Sequence, residues 1–303
     1  MHPNTQNRCI IPPSAHLKSV KFSLLGSFFS PMLCTAVALF SGIIWANPSI
    51  PKSDCFLVTE QGHTIARYGD CSTAWAPCST FKIPLALMGY DSHILQDANH
   101  PTFEFKHGYP DFLESWKLPQ NPTTWIANSC VWYSQVLTKK LGIKKLAHYI
   151  KLFDYGNQDL SGDKGKNNGL TQAWLSSSLA ISPQDQGVFL EKLCADHLPV
   201  SHDAIKKTKA ILFVDNLDKG WKLYGKTGMG TQRDAEGNKT ELQHGWFIGW
   251  IEKKHRKIVC VYHIVDAQKE LDYAGRRAKK LATKHMRHII NDIESKEKAV
   301  PTP

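Results

Sequence analysis

The chain has 303 residues, of which 42% are hydrophobic and 21% charged, and its formal net charge is +10. This length suffices for one large core or two subdomains, and the chain has no repeat and no low-complexity tract. The basic bias is mild and concentrates near the C-terminus without interleaved aromatic residues, which favours a solvated helix face over a nucleic-acid site. These basic residues are Lys269, Arg276, Arg277, Lys279, Lys280, Lys284 and Arg287.

The N-terminal segment has the layout of a secretory signal. Residues 1–46 contain no acid, and the stretch from Phe22 to Ala46 is uncharged after a basic region. We expect a signal peptide at 1–46 and a single periplasmic domain at 47–303, with no stable membrane association after cleavage. A retained anchor is the alternative, because the uncharged run is long enough to span a bilayer.

Export would place six cysteines in an oxidising space, where they can form disulfides. They are Cys55, Cys71, Cys78, Cys130, Cys194 and Cys260. The local candidates are Cys71/Cys78 and Cys55/Cys71, the second because two strands predicted around Gln61 and Gly62 would bring Cys55 near Cys71. Buried unpaired thiols are the other possibility, and the sequence does not decide among these.

After the signal, the pattern predicts a hairpin, a long helical region, three strands and a final helix. The hairpin strands are predicted at 55–60 and 64–68, and the later strands at 221–227, 245–252 and 257–265. Helices are predicted from 79 and at 125–141, 143–152, 184–193 and 271–293. The fold is therefore predicted as α+β (α/β): one antiparallel sheet from both chain ends, flanked by helices, with a helical subdomain at about 79–209.

A serine and a lysine three residues apart, Ser79 and Lys82, open a long apolar run. On a helix this spacing places both side chains on one face. Burial can lower the pKa of a lysine by up to roughly 3 to 5 units, which would let Lys82 act as a base. The pattern alone also fits a serine-capped core helix. It recurs, without a long apolar run, at Ser49/Lys52, Ser161/Lys164 and Ser295/Lys298.

The residues Gly220, Gly225, Lys226 and Thr227 fit the phosphate-loop pattern, but the interval between the glycines alternates as a strand and no helix follows. We therefore interpret them as part of a strand. On a strand Lys226 and Gly228 point the same way, and the missing side chain at Gly228 would let a ligand approach the backbone.

Four short motifs follow one another in order: Ser-Thr-Phe-Lys at 79–82, Ser-Cys-Val at 129–131, Tyr-Gly-Asn at 155–157 and Lys-Thr-Gly at 226–228. In this order the chain resembles the class D (oxacillin-hydrolysing) serine β-lactamases over about residues 55–293. The resemblance implies the fold shared by serine β-lactamases and penicillin-binding transpeptidases. It also implies hydrolysis of the β-lactam amide of penicillin-type antibiotics, and hence antibiotic resistance.

The same resemblance implies the catalytic roles. Ser79 would be the nucleophile, and Lys82, carbamylated by carbon dioxide to N6-carboxylysine, would be the general base in acylation and deacylation. Trp174 would donate its indole N–H to the carbamate. Ser129 and Lys226 would pass a proton to the β-lactam nitrogen.

The substrate-binding roles follow in the same way. Backbone N–H groups of Ser79 and Met229 would form the oxyanion hole, and Thr227 and Arg276 would hold the substrate carboxylate. Arg277 is the neighbouring alternative to Arg276. Tyr155 and Asn157 would shape the wall of the site. The expected substrate-binding residues are thus Val131, Thr227, Gly228, Met229 and Arg276.

The expected small-molecule partner is a β-lactam, and the chain would be a monomer or homodimer. No cofactor is expected besides carbon dioxide or bicarbonate, and no metal, since the histidines include no His-Glu-x-x-His. A penicillin sensor that stays acylated at Ser79 is the main alternative function. A cell-wall transpeptidase is another, although Val131 stands where Asn is usual. Substrate range would depend on the segments 158–169, predicted as a mobile loop, and 230–243.

Overall fold

The structure is a computed structural model that describes residues 50–299, with side chains up to Lys296, so the predicted signal peptide lies outside the described residues. The strands in this range are β1 (Cys55–Glu60), β2 (His63–Gly69), β3 (Phe213–Asn216), β4 (Lys222–Arg233), β5 (Lys239–Lys253) and β6 (Arg256–Val265). The helices are α1 (Lys82–Asp91), α2 (Pro122–Ala127), α3 (Val131–Leu141), α4 (Ile143–Leu152), α5 (Gly169–Gln172), α6 (Pro183–Cys194), α7 (His202–Ile211) and α8 (Ala274–Ala299).

One antiparallel sheet joins the two ends of the described chain. Its strand order is β2-β1-β6-β5-β4-β3, so the N-terminal hairpin pairs with β6. The central strands β5 and β6 are rich in buried Val, Ile and Trp, because layers of helices cover both faces of the sheet. The predicted hairpin and the predicted α+β architecture are both confirmed.

Neighbouring residues on β1 show which helices cover each face. Phe56 packs against His285 of α8, with ring centroids 4.8 Å apart. The next residue, Leu57, points to the opposite face, where it contacts Gly187 of α6. The sheet therefore lies between α8 on one side and the helices that follow β2 on the other.

The helix predicted over 125–141 is wrong as a continuous element. The chain breaks it into α2 and α3 at residues 128–130, where Ser129 has φ +56°. Asn121 caps α2 by accepting a hydrogen bond from the backbone N–H of Thr124 at 2.9 Å. No Gly or Pro marks the break, and the helical spacing of apolar residues continues through it. The sequence therefore predicts one helix where the structure has two.

Some predicted strands and one predicted helix need correction. The short edge strand β3 was not predicted, because its four residues are mostly exposed and show no burial pattern. Strands β4 and β5 continue beyond their predicted ends and form a hairpin with a turn at 234–238, so most of 230–243 is strand rather than loop. Helix α8 begins at Ala274.

One of the two candidate disulfides is present. Cys55 and Cys71 are joined with a Cα–Cα separation of 5.0 Å, at the open end of the β1–β2 hairpin. The hairpin register places Cys55 opposite Gly69, which brings the two cysteines together. The other cysteines that the structure describes, Cys78, Cys130, Cys194 and Cys260, are free and buried.

Candidate active site

Ser79 lies in a 3₁₀ turn, Cys78–Phe81, and Lys82 is the first residue of α1. The Nζ of Lys82 donates a hydrogen bond to the Oγ of Ser79 at 3.1 Å. Lys82 is completely buried, and this burial lowers its pKa to about 8. About one-tenth of such a group is neutral at pH 7, compared with well under a thousandth for an exposed lysine. The turn therefore pairs a serine hydroxyl with an amine that can accept its proton.

A second serine–lysine pair faces the first across the cleft. Lys226 of β4 donates a hydrogen bond from Nζ to the Oγ of Ser129 at 2.9 Å, and it also contacts Thr227. Burial, and then the charge of Lys82, hold the pKa of Lys226 well below its ordinary value. The break between α2 and α3 places Ser129 within reach of Lys226. The charge of Lys82 thus disfavours the protonated form of Lys226.

Both pairs border a cavity of about 290 Å³ between the sheet and the helices. Seven of the residues singled out from the sequence line it: Ser79, Ser129, Val131, Thr227, Gly228, Met229 and Arg276. Lys82 and Lys226 lie just behind this lining, each held by its serine. Residues from widely separated parts of the sequence thus meet at one site.

Sequence reasoning missed the aromatic rim of this cavity. Phe112 and Tyr273 both line the cavity and contact each other, with ring centroids 5.8 Å apart, and Phe112 also contacts Trp116. Phe112 is 58% exposed although it is a large apolar side chain. The segment around it has no helical or strand period, so no local signal marked it as part of a site.

The two neighbouring arginines differ in their contacts. Arg277 donates from Nη2 to both carboxylate oxygens of Asp266 at 2.7 Å and lies away from the cavity. Arg276 lines the cavity and packs over the ring of Tyr273, 5.1 Å from its centroid. The structure gives Arg276 no ion pair within residues 50–299, so its guanidinium is available to a ligand.

Trp174 is almost completely buried beside the nucleophile turn. Its ring stacks on Phe81 with centroids 5.1 Å apart, and its carbonyl oxygen accepts a hydrogen bond from the N–H of Cys78 at 2.9 Å. Its indole N–H makes no hydrogen bond to any residue that the structure describes. Tyr155 lies one layer further back against Phe81, and Asn157 ties the chain to Ser178.

Gly228 lines the cavity, but its missing side chain has a different reason from the predicted one. A β-carbon there would lie 2.9 Å from the carbonyl oxygen of Pro77 and 3.1 Å from Thr80 Cγ2. The space is filled by the nucleophile turn rather than left open for a ligand. On the other side of the strand, a β-carbon at Gly275 of α8 would lie 2.6 Å from the carbonyl oxygen of Gly228.

Two buried histidines lie behind the nucleophile turn and were not predicted. His244 contacts His263, with Nδ1 and Nε2 3.1 Å apart, and its other nitrogen lies 3.9 Å from the Sγ of Cys78. Within the described residues His263 Nδ1 has no hydrogen-bond partner. Burial raises the pKa of Cys78 to about 11, so this thiol stays protonated and packs rather than reacts.

We expect His244 to make the fold sensitive to acid. Burial lowers its pKa from 6.5 to about 4. Between pH 4 and pH 6.5 His244 binds a proton in the unfolded chain and not in the folded chain. The stability that depends on neutral His244 is therefore fully present above about pH 6.5 and is lost as the pH falls toward 4. From pH 7 to pH 5 this histidine should reduce the free energy of unfolding in urea by about 2 kcal/mol.

In a His244→Gln variant the loss of stability from pH 7 to pH 5 should be smaller than in the parent protein by about 2 kcal/mol. Buried His263, whose pKa burial also holds well below its ordinary value, keeps its own contribution, and His148→Gln, at an exposed position on α4, should match the parent protein. Both variants would be compared with the parent protein by urea unfolding at the two pH values. An unchanged slope in His244→Gln would contradict the assignment.

Comparison with known proteins gives concordant matches. The penicillin binding protein transpeptidase domain family matches residues 56–287. The chain is 43% identical to Beta-lactamase OXA-9 of Klebsiella pneumoniae over 218 residues, which cover 71% of this chain and 80% of that protein. It is 45% identical to Beta-lactamase OXA-1 of Escherichia coli over 204 residues, covering 66% and 71%. The crystal structure of the OXA-427 class D β-lactamase matches with a TM-score of 0.75 at 43% identity, covering 79% of this chain and 99% of that one.

Proposed function

The chain belongs to the class D β-lactamases, and from this premise we propose that it hydrolyses the β-lactam amide of penicillin-type antibiotics through an acyl-enzyme on Ser79. Such hydrolysis inactivates the antibiotic and gives resistance. The observation that carries the proposal is the 3.1 Å contact between Ser79 Oγ and the buried amine of Lys82. A second serine–lysine pair at the same cavity supplies the proton that the leaving nitrogen needs.

In acylation, Ser79 Oγ attacks the β-lactam carbonyl carbon while its proton passes to the base at Lys82. The carbonyl oxygen becomes an oxyanion, for which the backbone N–H groups of Ser79 and Met229 are the proposed donors. The carbon–nitrogen bond of the ring then breaks, and the nitrogen takes a proton from Ser129, which Lys226 replaces. The proton that the base at Lys82 took from Ser79 then passes on to Lys226, which restores both groups. In deacylation the base at Lys82 takes a proton from water, the hydroxide oxygen bonds to the acyl carbon, and the base gives that proton to Ser79 Oγ as the bond between Ser79 and the acyl carbon breaks.

The surroundings of Lys82 fit its carbamylation. Carbon dioxide reacts with a neutral amine, and the lowered pKa of about 8 supplies that form near neutral pH. The indole N–H of Trp174, without a hydrogen-bond partner in residues 50–299, is the donor that we assign to the new anion. The carbamate would supply a carboxylate base with a much lower proton affinity than an amine. No cofactor other than carbon dioxide or bicarbonate enters this proposal.

Substrate binding uses the two sides of the cavity. Arg276 and Thr227 would hold the substrate carboxylate at the α8 side, where the guanidinium has no competing ion pair among the described residues. Val131 and Phe112 make other parts of the lining apolar, which suits the hydrophobic side chain of a penicillin.

We also propose that the chain is exported to the periplasm and loses residues 1–46. The disulfide between Cys55 and Cys71 supports an oxidising compartment. No helix in residues 50–299 is long and apolar enough to cross a membrane. The active site lies within one chain, so either a monomer or a homodimer would be competent.

Steady turnover of a chromogenic β-lactam is the expected result for the purified protein, with a rate that rises when bicarbonate is added. Added bicarbonate should raise the rate because it supplies carbon dioxide, with which neutral Lys82 must react before it can serve as a carboxylate base. The rise should be larger at pH 6 than at pH 8, since the neutral amine becomes scarcer below its pKa of about 8.

Product formation would be followed by absorbance, starting with a rapid-mixing trace that shows the first turnover. A single burst equal to the protein concentration, with no later turnover, would establish the sensor function in place of the enzyme. A transpeptidase would instead transfer the acyl group to an amine acceptor faster than to water.

A further inference from the structure

A groove of about 880 Å³ runs from the active site along α8, between this helix and the strands β3 and β4. Thr227 and Arg276 line both this groove and the cavity that contains Ser79. The groove and the cavity are therefore continuous at the two residues that we assign to the substrate carboxylate.

Cationic side chains line the groove along one face of α8. They are Arg276, Lys279, Lys280, Lys284 and Arg287. Lys279 and Lys280 follow Arg276 by three and four residues, Lys284 follows Lys280 by four, and Arg287 follows Lys284 by three, so they share one helical face. At about 1.5 Å per residue, they extend about 16 Å along the helix. Among the described residues that line the groove, Asp215 is the one acid.

Most of this charge is not neutralised by the protein. Arg287 pairs with Asp218. Within residues 50–299, the other four cations, which we name the cationic stripe (Arg276, Lys279, Lys280 and Lys284), make no ion pair. Basic residues elsewhere do pair, for example Lys209 with Asp196 at 2.7 Å. The stripe therefore projects uncompensated positive charge at the mouth of the active site.

The field of the stripe reaches the catalytic residues. Lys279 is half-buried, and its charge contributes to the lowered pKa of Lys226, after burial and the charge of Lys82. A concave surface of one charge sign concentrates oppositely charged small molecules and raises their association rate. The carboxylate of a penicillin is such a charge.

We infer that the cationic stripe draws anionic β-lactams into the cavity and favours substrates that carry a second negative charge. The inference rests on the proposed β-lactam hydrolysis. Exposed charges act over a Debye length of about 10 Å at 0.1 M salt, so the effect should be strong in dilute buffer and weak in concentrated salt. It should change kcat/KM through association and leave kcat nearly unaltered.

The test compares three penicillins: one with a carboxylate on its side chain, one with an uncharged side chain, and one with an amine that makes the molecule zwitterionic. The variants are Lys280→Gln/Lys284→Gln and the charge reversal Lys280→Glu/Lys284→Glu. The matched control is Lys144→Gln/Lys145→Gln, which removes the same charge from exposed positions on α4. Rates are measured with bicarbonate held constant, from about 20 mM to about 500 mM ionic strength.

For the dianionic penicillin at low salt, we expect kcat/KM to fall about threefold in the neutral variant and about tenfold in the reversed one. The zwitterionic penicillin should change less than about twofold, and the control variant should match the parent protein. At high salt the differences should disappear. Equal salt dependence in all the proteins would overturn the inference, as would an equal loss for all three penicillins.

The same measurements separate this inference from the proposed function. If the parent protein acylates without turning over, the function is that of a sensor, and the second-order acylation rate then reports the effect of the stripe. A protein that neither hydrolyses the β-lactam nor becomes acylated would rule out both the proposed function and the inference about the stripe. Salt-sensitive binding of a duplex oligonucleotide that the variants lose, without any change in kcat/KM, would overturn the substrate role.

Discussion

Replacement of Ser79 by alanine should lower kcat for a chromogenic β-lactam by at least about 10⁴-fold, because it removes the hydroxyl that we assign as the nucleophile and that the buried amine of Lys82 contacts. Ser129 is the nearest alternative, since Lys226 contacts its Oγ as Lys82 contacts that of Ser79, but we assign the Ser129–Lys226 pair to protonation of the leaving nitrogen. A fluorescent penicillin should label the parent protein and not Ser79→Ala, as read by gel and by intact mass.

A matched control exists for this experiment. Ser161 also precedes a lysine by three residues, but it is exposed and outside the cavity, so Ser161→Ala should retain full activity. The Ser79→Ala protein should fold normally, since its hydroxyl contacts only Lys82 among the described side chains. A correctly folded Ser79→Ala protein that still hydrolyses the substrate would contradict the assignment of the nucleophile.

Replacement of Lys82 should slow both acylation and deacylation, each by about 10³-fold or more, while substrate binding remains. We choose Lys82→Met together with Lys82→Ala, because methionine preserves most of the buried volume and separates loss of the amine from loss of packing. Pre-steady-state kinetics would give the two rates separately. Added bicarbonate should accelerate the parent protein and leave both variants unchanged.

Two comparisons make this result specific to a carbamylated lysine. Lys164→Ala, at the exposed Ser161 pair, should behave like the parent protein. Trp174→Phe should lose activity that high bicarbonate partly restores, because it removes an N–H donor that would stabilise the carbamate without removing the amine. Retained activity in Lys82→Met would remove the lysine as the base, and a carbon-13 carbamate signal in that variant would place the modification elsewhere.

Local patterns predicted the parts of the site that lie close together in sequence. Ser79 and Lys82 are three residues apart at the start of an apolar run, and that arrangement already implied a buried amine beside a hydroxyl. The alternating residues after Gly220 identified a strand and ruled out a phosphate loop, as β4 confirms. The hairpin prediction also brought Cys55 to Cys71, although it could not choose that disulfide.

Contacts between distant segments were beyond such patterns. Ser129 and Lys226 are 97 residues apart, and only their resemblance to a known family paired them before the structure did. Phe112 and His244 belong to the site through tertiary packing alone, since neither stands in a motif. The break before α3 was missed because the helical period of apolar residues continues across it, and a positive φ at a serine has no sequence signal.

The close approach at Gly228 has a consequence for how the site holds its shape. The nucleophile turn lies on one side of this glycine and the start of α8 on the other. On both sides the backbones approach so closely that an added β-carbon would meet a carbonyl oxygen. Backbone contacts therefore fix the relative positions of three elements, which carry the nucleophile, the proposed oxyanion donor and the proposed carboxylate-binding arginine. Backbone positions do not change when side chains change rotamer. The walls of the cavity can therefore vary in sequence, and with them the range of antibiotics accepted, while the spacing of the reacting groups is preserved.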